Sequence, residues 1–185
     1  DGRNGLRFFA PEMQAHTQRS LEIAASIKEA AHRGELRLVY QPQRALGSGA
    51  LVGAEALLRW HHPQWGLVSP AEFIPIAEQS GAILAIDFWV IEAAARQVRA
   101  WDAAGLPPIV VAVNVSAAQF ARPQFVDELL QVLHRLDVSP QRLEVELTEA
   151  VALKYPEQAE TTLRRLHEAG FRVALDDFGT GYSSM

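Results

Sequence analysis

Five strand-length apolar runs recur along this chain, most of them followed by a stretch with helical spacing, and that alternation narrows the possible folds more than any other feature. The runs are LRLVYQP (36–42), LVGAEALL (51–58), IVVAVNVS (109–116), LEVELTE (143–149) and FRVALDD (171–177). Strands alternating with helices point to a βα architecture around a parallel sheet. The helices bring their own start and stop signals. Ser69, Pro70 and Glu72 have the spacing of a capping box with proline at the first helical position, opening a helix through Phe73 and Ile76. A longer helix runs from about Ile83 to Ala104 and stops at Gly105 and the Pro107, Pro108 breaker. Pro123 opens a helix whose Val126, Leu129, Leu130 and Leu133 share one face, and Pro156 starts another that ends before Gly170. Ahead of the first strand, Ile23, Ile27, Ala30 and Ala31 form an apolar stripe between His16 and Arg33, with Gly34 as a C-cap. This predicts an amphipathic linker helix over 16–34, preceded by the turn-rich segment 1–15.

Charge and composition exclude several functions. The formal net charge is −5, and an acidic field repels nucleic acids and anionic membranes, so DNA and RNA are not expected partners. Any anionic substrate has to be met locally, by a metal or by placed arginines. The absence of cysteine rules out a disulfide framework and thiolate metal sites. No apolar run approaches the ~18 residues that span a bilayer, and the N-terminus lacks a secretory pattern. The expected location is the cytoplasm, with any membrane tether lying outside this sequence.

The polar residues embedded in the strands carry the chemistry. Glu55 interrupts LVGAEALL, Asn114 ends VVAVN, Glu146 alternates through LEVELTE, and Asp176 with Asp177 closes VALDD. In parallel βα folds the C-terminal strand ends converge on one face, where catalytic groups collect. Singly, a strand glutamate can be an edge residue and an asparagine a turn former. Together, crowded carboxylates without lysine partners repel one another unless a cation neutralises them, and hard oxygen donors suit Mg²⁺, Mn²⁺ or Ca²⁺ rather than zinc. The adjacent Asp176 and Asp177 enter the turn FGTG, where the backbone can let one bridge two ions and the other reach the second. Two metals are a recurrent device for phosphodiester cleavage. Arg59 is the natural ligand for a phosphate, its alternative being a surface salt bridge. Other patterns fail. His61 and His62 precede Pro63 without zinc-site spacing and read as a solvated loop; DFG lacks the remainder of a kinase's motifs; GTGYSS lacks the lysine of a phosphate-binding loop.

The ordered set YQPQ, EALLRW, FIPIAEQSG, NVS, ELTE and LDDFGTGYSS resembles the EAL domain of bacterial cyclic di-GMP phosphodiesterases, from about Leu36 to Met185. The resemblance implies a TIM-type (β/α) barrel, about the first five strands of which are present, that hydrolyses cyclic di-GMP to linear pGpG. By the same resemblance Glu55, Asn114, Glu146 and Asp176 ligate a first ion, Asp176 and Asp177 hold a second, and Mg²⁺ or Mn²⁺ serves as cofactor, with Ca²⁺ binding and inhibiting. Gln41, Leu57 and Arg59 contact substrate, and Glu149 holds the loop after the fifth strand, through which a homodimer is expected. The opening GRNGLRFFAPEM and its helix resemble the end of a GGDEF domain and its linker. The expected layout is therefore 1–15 as a GGDEF tail, 16–34 as linker and 35–185 as the N-terminal part of the EAL domain. A lysine, a glutamate and a glutamine that the family supplies on later strands have no counterpart here. Because such a barrel takes about 250 residues, the sequence is expected to belong to a longer polypeptide, and a chain ending at Met185 to be unstable and inactive. The alternative function is a non-catalytic EAL domain that senses cyclic di-GMP.

Overall fold

The chain buries its apolar strand positions on one side of a single twisted sheet and leaves its polar ones on the other. A computed structural model describes residues 11–148 and 156–176, with side chains for 17–147 and 158–175. The first ten residues of the expected GGDEF tail lie outside this range. The strands are β1 (Leu36–Arg44), β2 (Leu51–His62), β3 (Gly66–Val68), β4 (Val110–Asn114), β5 (Leu143–Thr148) and β6 (Arg172–Asp176). The helices are α1 (Pro11–Ala30), α2 (Pro70–Ser80), α3 (Ile83–Ala103), α4 (Ala117–Phe120), α5 (Phe125–Leu136) and α6 (Pro156–Glu168). The sheet runs β1-β2-β4-β5-β6, with β3 paired to the far end of β2. From β2 to β6 the pairing is parallel and each crossover contains helix. This is the layered plan of a partial TIM-type barrel.

The sheet is mixed where a wholly parallel one was expected. β1 pairs antiparallel with β2, and so does β3. The cause is connection length: only residues 45–50 separate β1 from β2, whereas a parallel crossover takes a dozen or more. The short loop closes on itself instead, Ala45 N–H donating to Ala50 O and Gly49 N–H to Ala45 O.

Alternate strand residues decide the two faces. Ala54, Ala56 and Trp60 of β2, Val111 and Val113 of β4, and Leu143, Val145 and Leu147 of β5 are all buried in one continuous core with the helices. At about 1.5–3 kcal/mol for each large apolar side chain buried, this face supplies the stability and leaves the other free for polar groups. Within the helical layer, Phe73, Ile91, Phe125, Leu129 and Leu133 are fully enclosed.

Several local expectations need correction. The linker helix begins at Pro11 rather than His16, and Ile23, Ile27 and Ala30 are at most 1% exposed, so its apolar stripe is spent on this core. A turn through Gly34, at φ 69°, then leads into β1. Ser69 is the N-cap of α2 and Pro70 sits at its start, but the Ser69 side chain makes no capping bond. Glu72 accepts instead from Arg19 Nε of α1 at 2.9 Å, so the capping box yields to a helix-to-helix ion pair. Pro123 precedes α5 by two residues, and the unpredicted α4 is capped by Ser116 Oγ, which accepts from Gln119 N–H at 3.2 Å. His61 and His62 end β2 rather than lie in a loop, and His62 stacks on Trp65 at 3.7 Å between centroids. Arg19 lies over the same indole, 4.1 Å from the ring centre. Trp60 is edge-on to Trp65 and Phe73, and its Nε1–H donates to Glu35 at 2.9 Å.

Candidate active site

The uncovered sheet face carries the polar strand residues in two adjoining rows. Gln41 of β1 lies opposite Glu55 of β2, which pairs with Ala112 of β4, then Glu144 of β5 and Arg172 of β6. Two residues further along the strands, Asn114 pairs with Glu146, which pairs with Ala174. Leu57 and Arg59 follow Glu55 at two-residue steps and so share its face. Every sequence-derived site residue with a described side chain therefore lies on one surface. Each is half-buried or exposed, which an ion or substrate requires.

Glu55 and Asn114 are in direct contact. Asn114 Nδ2 donates to Glu55 Oε1 at 3.0 Å, which fixes the amide with Oδ1 turned away as an acceptor and leaves the second Glu55 oxygen for another partner. Glu146, in register with Asn114, adds a carboxylate from the next strand. The three present hard oxygen atoms from adjacent strands, a donor set that fits a divalent cation of the Mg²⁺ or Mn²⁺ type. Among the described residues no group of three or more His, Cys, Asp or Glu forms a cation site on its own. The Asp176 backbone lies opposite Thr148, two residues beyond the partner of Glu146. The Asp176 side chain, Asp177, Glu149 and the loop proposed for dimer contacts lie outside the described residues.

Arg59 opens onto a cavity of about 550 Å³ that Asn114 also borders, lined further by Leu57, Ile74, Val90 and Ser116. One guanidinium nitrogen, Nη1, donates to the Leu58 carbonyl at 2.8 Å. The expected alternative, a salt bridge, is not formed among the described residues. The remaining donors of the fork can meet an anion.

One residue of the cavity wall escaped the sequence reading. Asp87 of α3 is only 5% exposed, and burial pushes its carboxyl up to about 7, helped by Glu78 and opposed by hydrogen bonds from Ser116. Its Oδ2 accepts from Ser116 N–H at 3.2 Å and from Ser116 Oγ–H at 2.5 Å. The available signal was an aspartate at a position of the helical apolar stripe, between Ile83 and Ile86 on one side and Val90 and Ile91 on the other. An acid in that stripe must find a buried partner.

Comparison with known proteins bears on the chain as a whole. The family model described as EAL domain matches residues 24–185. MucR of Pseudomonas aeruginosa, a bifunctional diguanylate cyclase/cyclic di-GMP phosphodiesterase, is 41% identical over 184 residues, covering 100% of this chain and 27% of MucR. The cyclic di-GMP phosphodiesterase PA2567 of the same organism is 38% identical over 181 residues, 97% of this chain and 31% of that protein. The chain thus spans about a third or less of the curated relatives it matches. Among solved structures, the MucR phosphodiesterase in complex with c-di-GMP superposes with a TM-score of 0.83 at 40% identity, covering 88% of this chain and 66% of that one. With its sequence matched from Ile23's neighbour Ala24 to Met185 and its sheet superposing on a solved member, the chain belongs to the EAL domain family.

Proposed function

We propose that this chain carries the first metal-binding and substrate-binding strands of a phosphodiesterase that opens cyclic di-GMP to linear pGpG, working beside an upstream GGDEF domain in its parent polypeptide. The observation that carries the reading is the contact of Asn114 with Glu55 on the same face as Glu146 and Arg59. The MucR comparison supports the substrate and the tandem arrangement, since that protein is both cyclase and phosphodiesterase.

Glu55, Asn114 and Glu146, with Asp176 and Asp177, would hold the divalent cations, which when bound lower the pKa of an attacking water and draw charge from the phosphoryl oxygens. The chain's own groups do the rest. Asn114 orients Glu55 through its amide hydrogen. Arg59 pairs with a phosphate oxygen and sets the phosphodiester beside the acids. Leu57 and the apolar cavity wall exclude water and receive the nucleoside portion of the substrate. Gln41, across the hairpin from Glu55, offers an amide to the same end of the ligand. The water oxygen bonds to phosphorus, one phosphorus–oxygen ester bond breaks, and the leaving oxygen takes a proton, giving a linear dinucleotide with a terminal phosphate.

Steady-state kinetics in the parent polypeptide tests these roles. Glu55→Ala is expected to abolish turnover, while Arg59→Ala raises KM at least about tenfold with a smaller change in kcat, the pattern of a lost charge-assisted bond. Native turnover in the Glu55 variant would overturn the assignment of the metal site. Tight binding of cyclic di-GMP by the native protein without product would instead mark a sensor domain.

A further inference from the structure

The strand end that presents Asn114 is held from both sides. Val115 N–H donates to Glu146 O at 3.0 Å, tying β4 to β5. The next amide, Ser116 N–H, points the opposite way and donates to Asp87 of α3. The Ser116 hydroxyl gives its proton to the same carboxylate oxygen and accepts from Gln119 N–H, capping α4. A single buried acid therefore anchors the backbone two residues past Asn114 and the start of the helix that follows.

The neighbours of Asp87 on its face of α3, Ile83, Ile86 and Val90, are apolar and buried. Another apolar residue there would pack without the cost of enclosing an acid. What it adds is the fixed turn.

We propose that Asp87 is a positioning residue of this site, clamping the turn after β4 so that Asn114 is held against Glu55 in the geometry that receives a divalent cation. The consequence for metal binding rests on the function proposed above; the clamp itself does not. Asp87 acts through Ser116 and the backbone. Because the bonds run from Ser116 to an oxygen, an amide can replace the carboxylate, whereas a methyl group cannot.

The test compares Asp87→Asn, Asp87→Ala and Ser116→Ala in the parent polypeptide. Calorimetric titration with Mn²⁺ in the absence of substrate should give native-like affinity for Asp87→Asn and affinity weakened by about 10- to 100-fold for Asp87→Ala, the range seen when a residue supporting a metal ligand is removed. Ser116→Ala, which leaves the core intact, should fall between them and serves if Asp87→Ala fails to fold. At saturating Mn²⁺, KM for cyclic di-GMP should stay near native in all three. Equal weakening in the Asn and Ala variants would overturn the proposal, and so would a rise in KM with unchanged Mn²⁺ affinity, which would make Asp87 a substrate contact. Should native protein bind no Mn²⁺, the metal reading fails, and amide exchange of Ser116 and Gln119 decides the clamp: faster exchange in Asp87→Ala than in native or Asp87→Asn upholds it, equal exchange refutes it.

Discussion

Asn114 and Asp87 show how differently two polar residues of one site announce themselves. Asn114, like Glu55 and Glu146, interrupts an apolar strand, and the period of two turns each away from the apolar residues that alternate with it; the strand register then sets the three on one face. Asp87 lies in a helical stripe, where a single acid gives no indication of which element it reaches; its partner Ser116 is 29 residues away in sequence. Its environment also makes a testable signature. Burial holds the folded-state pKa of Asp87 at about 7 against an ordinary 3.8, so between those values the folded chain keeps a proton that the unfolded chain has released. Its stabilising contribution is fullest below pH 3.8 and is lost as pH rises to about 7. Asp87→Asn does not titrate. Chemical denaturation across pH 4 to 8 should therefore show the variant gaining on the native protein up to about pH 7 and then holding level, and a difference constant across that window would contradict the buried-acid assignment.

At the scale of elements, periodicity served well where one face is buried, and failed where length or competition decided. The stripe of α1 was legible, but its destination was not, because an amphipathic helix looks the same whether it bridges domains or packs on its neighbour. Ile23, Ile27 and Ala30 are enclosed, and Arg19 joins α1 to Glu72 of α2 and to the Trp65 ring beyond β2. Thus α1 belongs to the unit that holds the site. Ile27→Ala should cost about 2–5 kcal/mol in unfolding free energy, as for other large-to-small core changes, while Leu21→Ala, at a position 63% exposed, should stay within about 0.5 kcal/mol. Equal effects would mean that the helix does not dock. The Ser69, Glu72 spacing failed as a capping box because Arg19, 53 residues from Glu72, competes for the same carboxylate, a contact no local pattern contains. The antiparallel pairing of β1 with β2 was missed, although the six residues between them are too few for a parallel crossover.

For the whole molecule, the decisive feature is a sheet with one face packed against helices and the other carrying the polar strand residues. The apolar residues that alternate with Glu55, Asn114 and Glu146 anchor the strands in the helical layer. The polar residues of the other face then do not have to stabilise the fold. The order of motifs made this organisation readable, whereas the cavity beside Arg59 depends on how α2 and α3 pack against β2 and β4, which sequence spacing does not encode. Under the proposed function this polar face is a metal-dependent site for cyclic di-GMP hydrolysis. It is tested most directly by incubating the parent polypeptide with cyclic di-GMP and Mn²⁺, with and without a chelator, and separating the products by chromatography. Conversion to pGpG that stops with the chelator and is absent in Glu55→Ala is the predicted result; undiminished conversion in either, or no pGpG from the native protein, would contradict it.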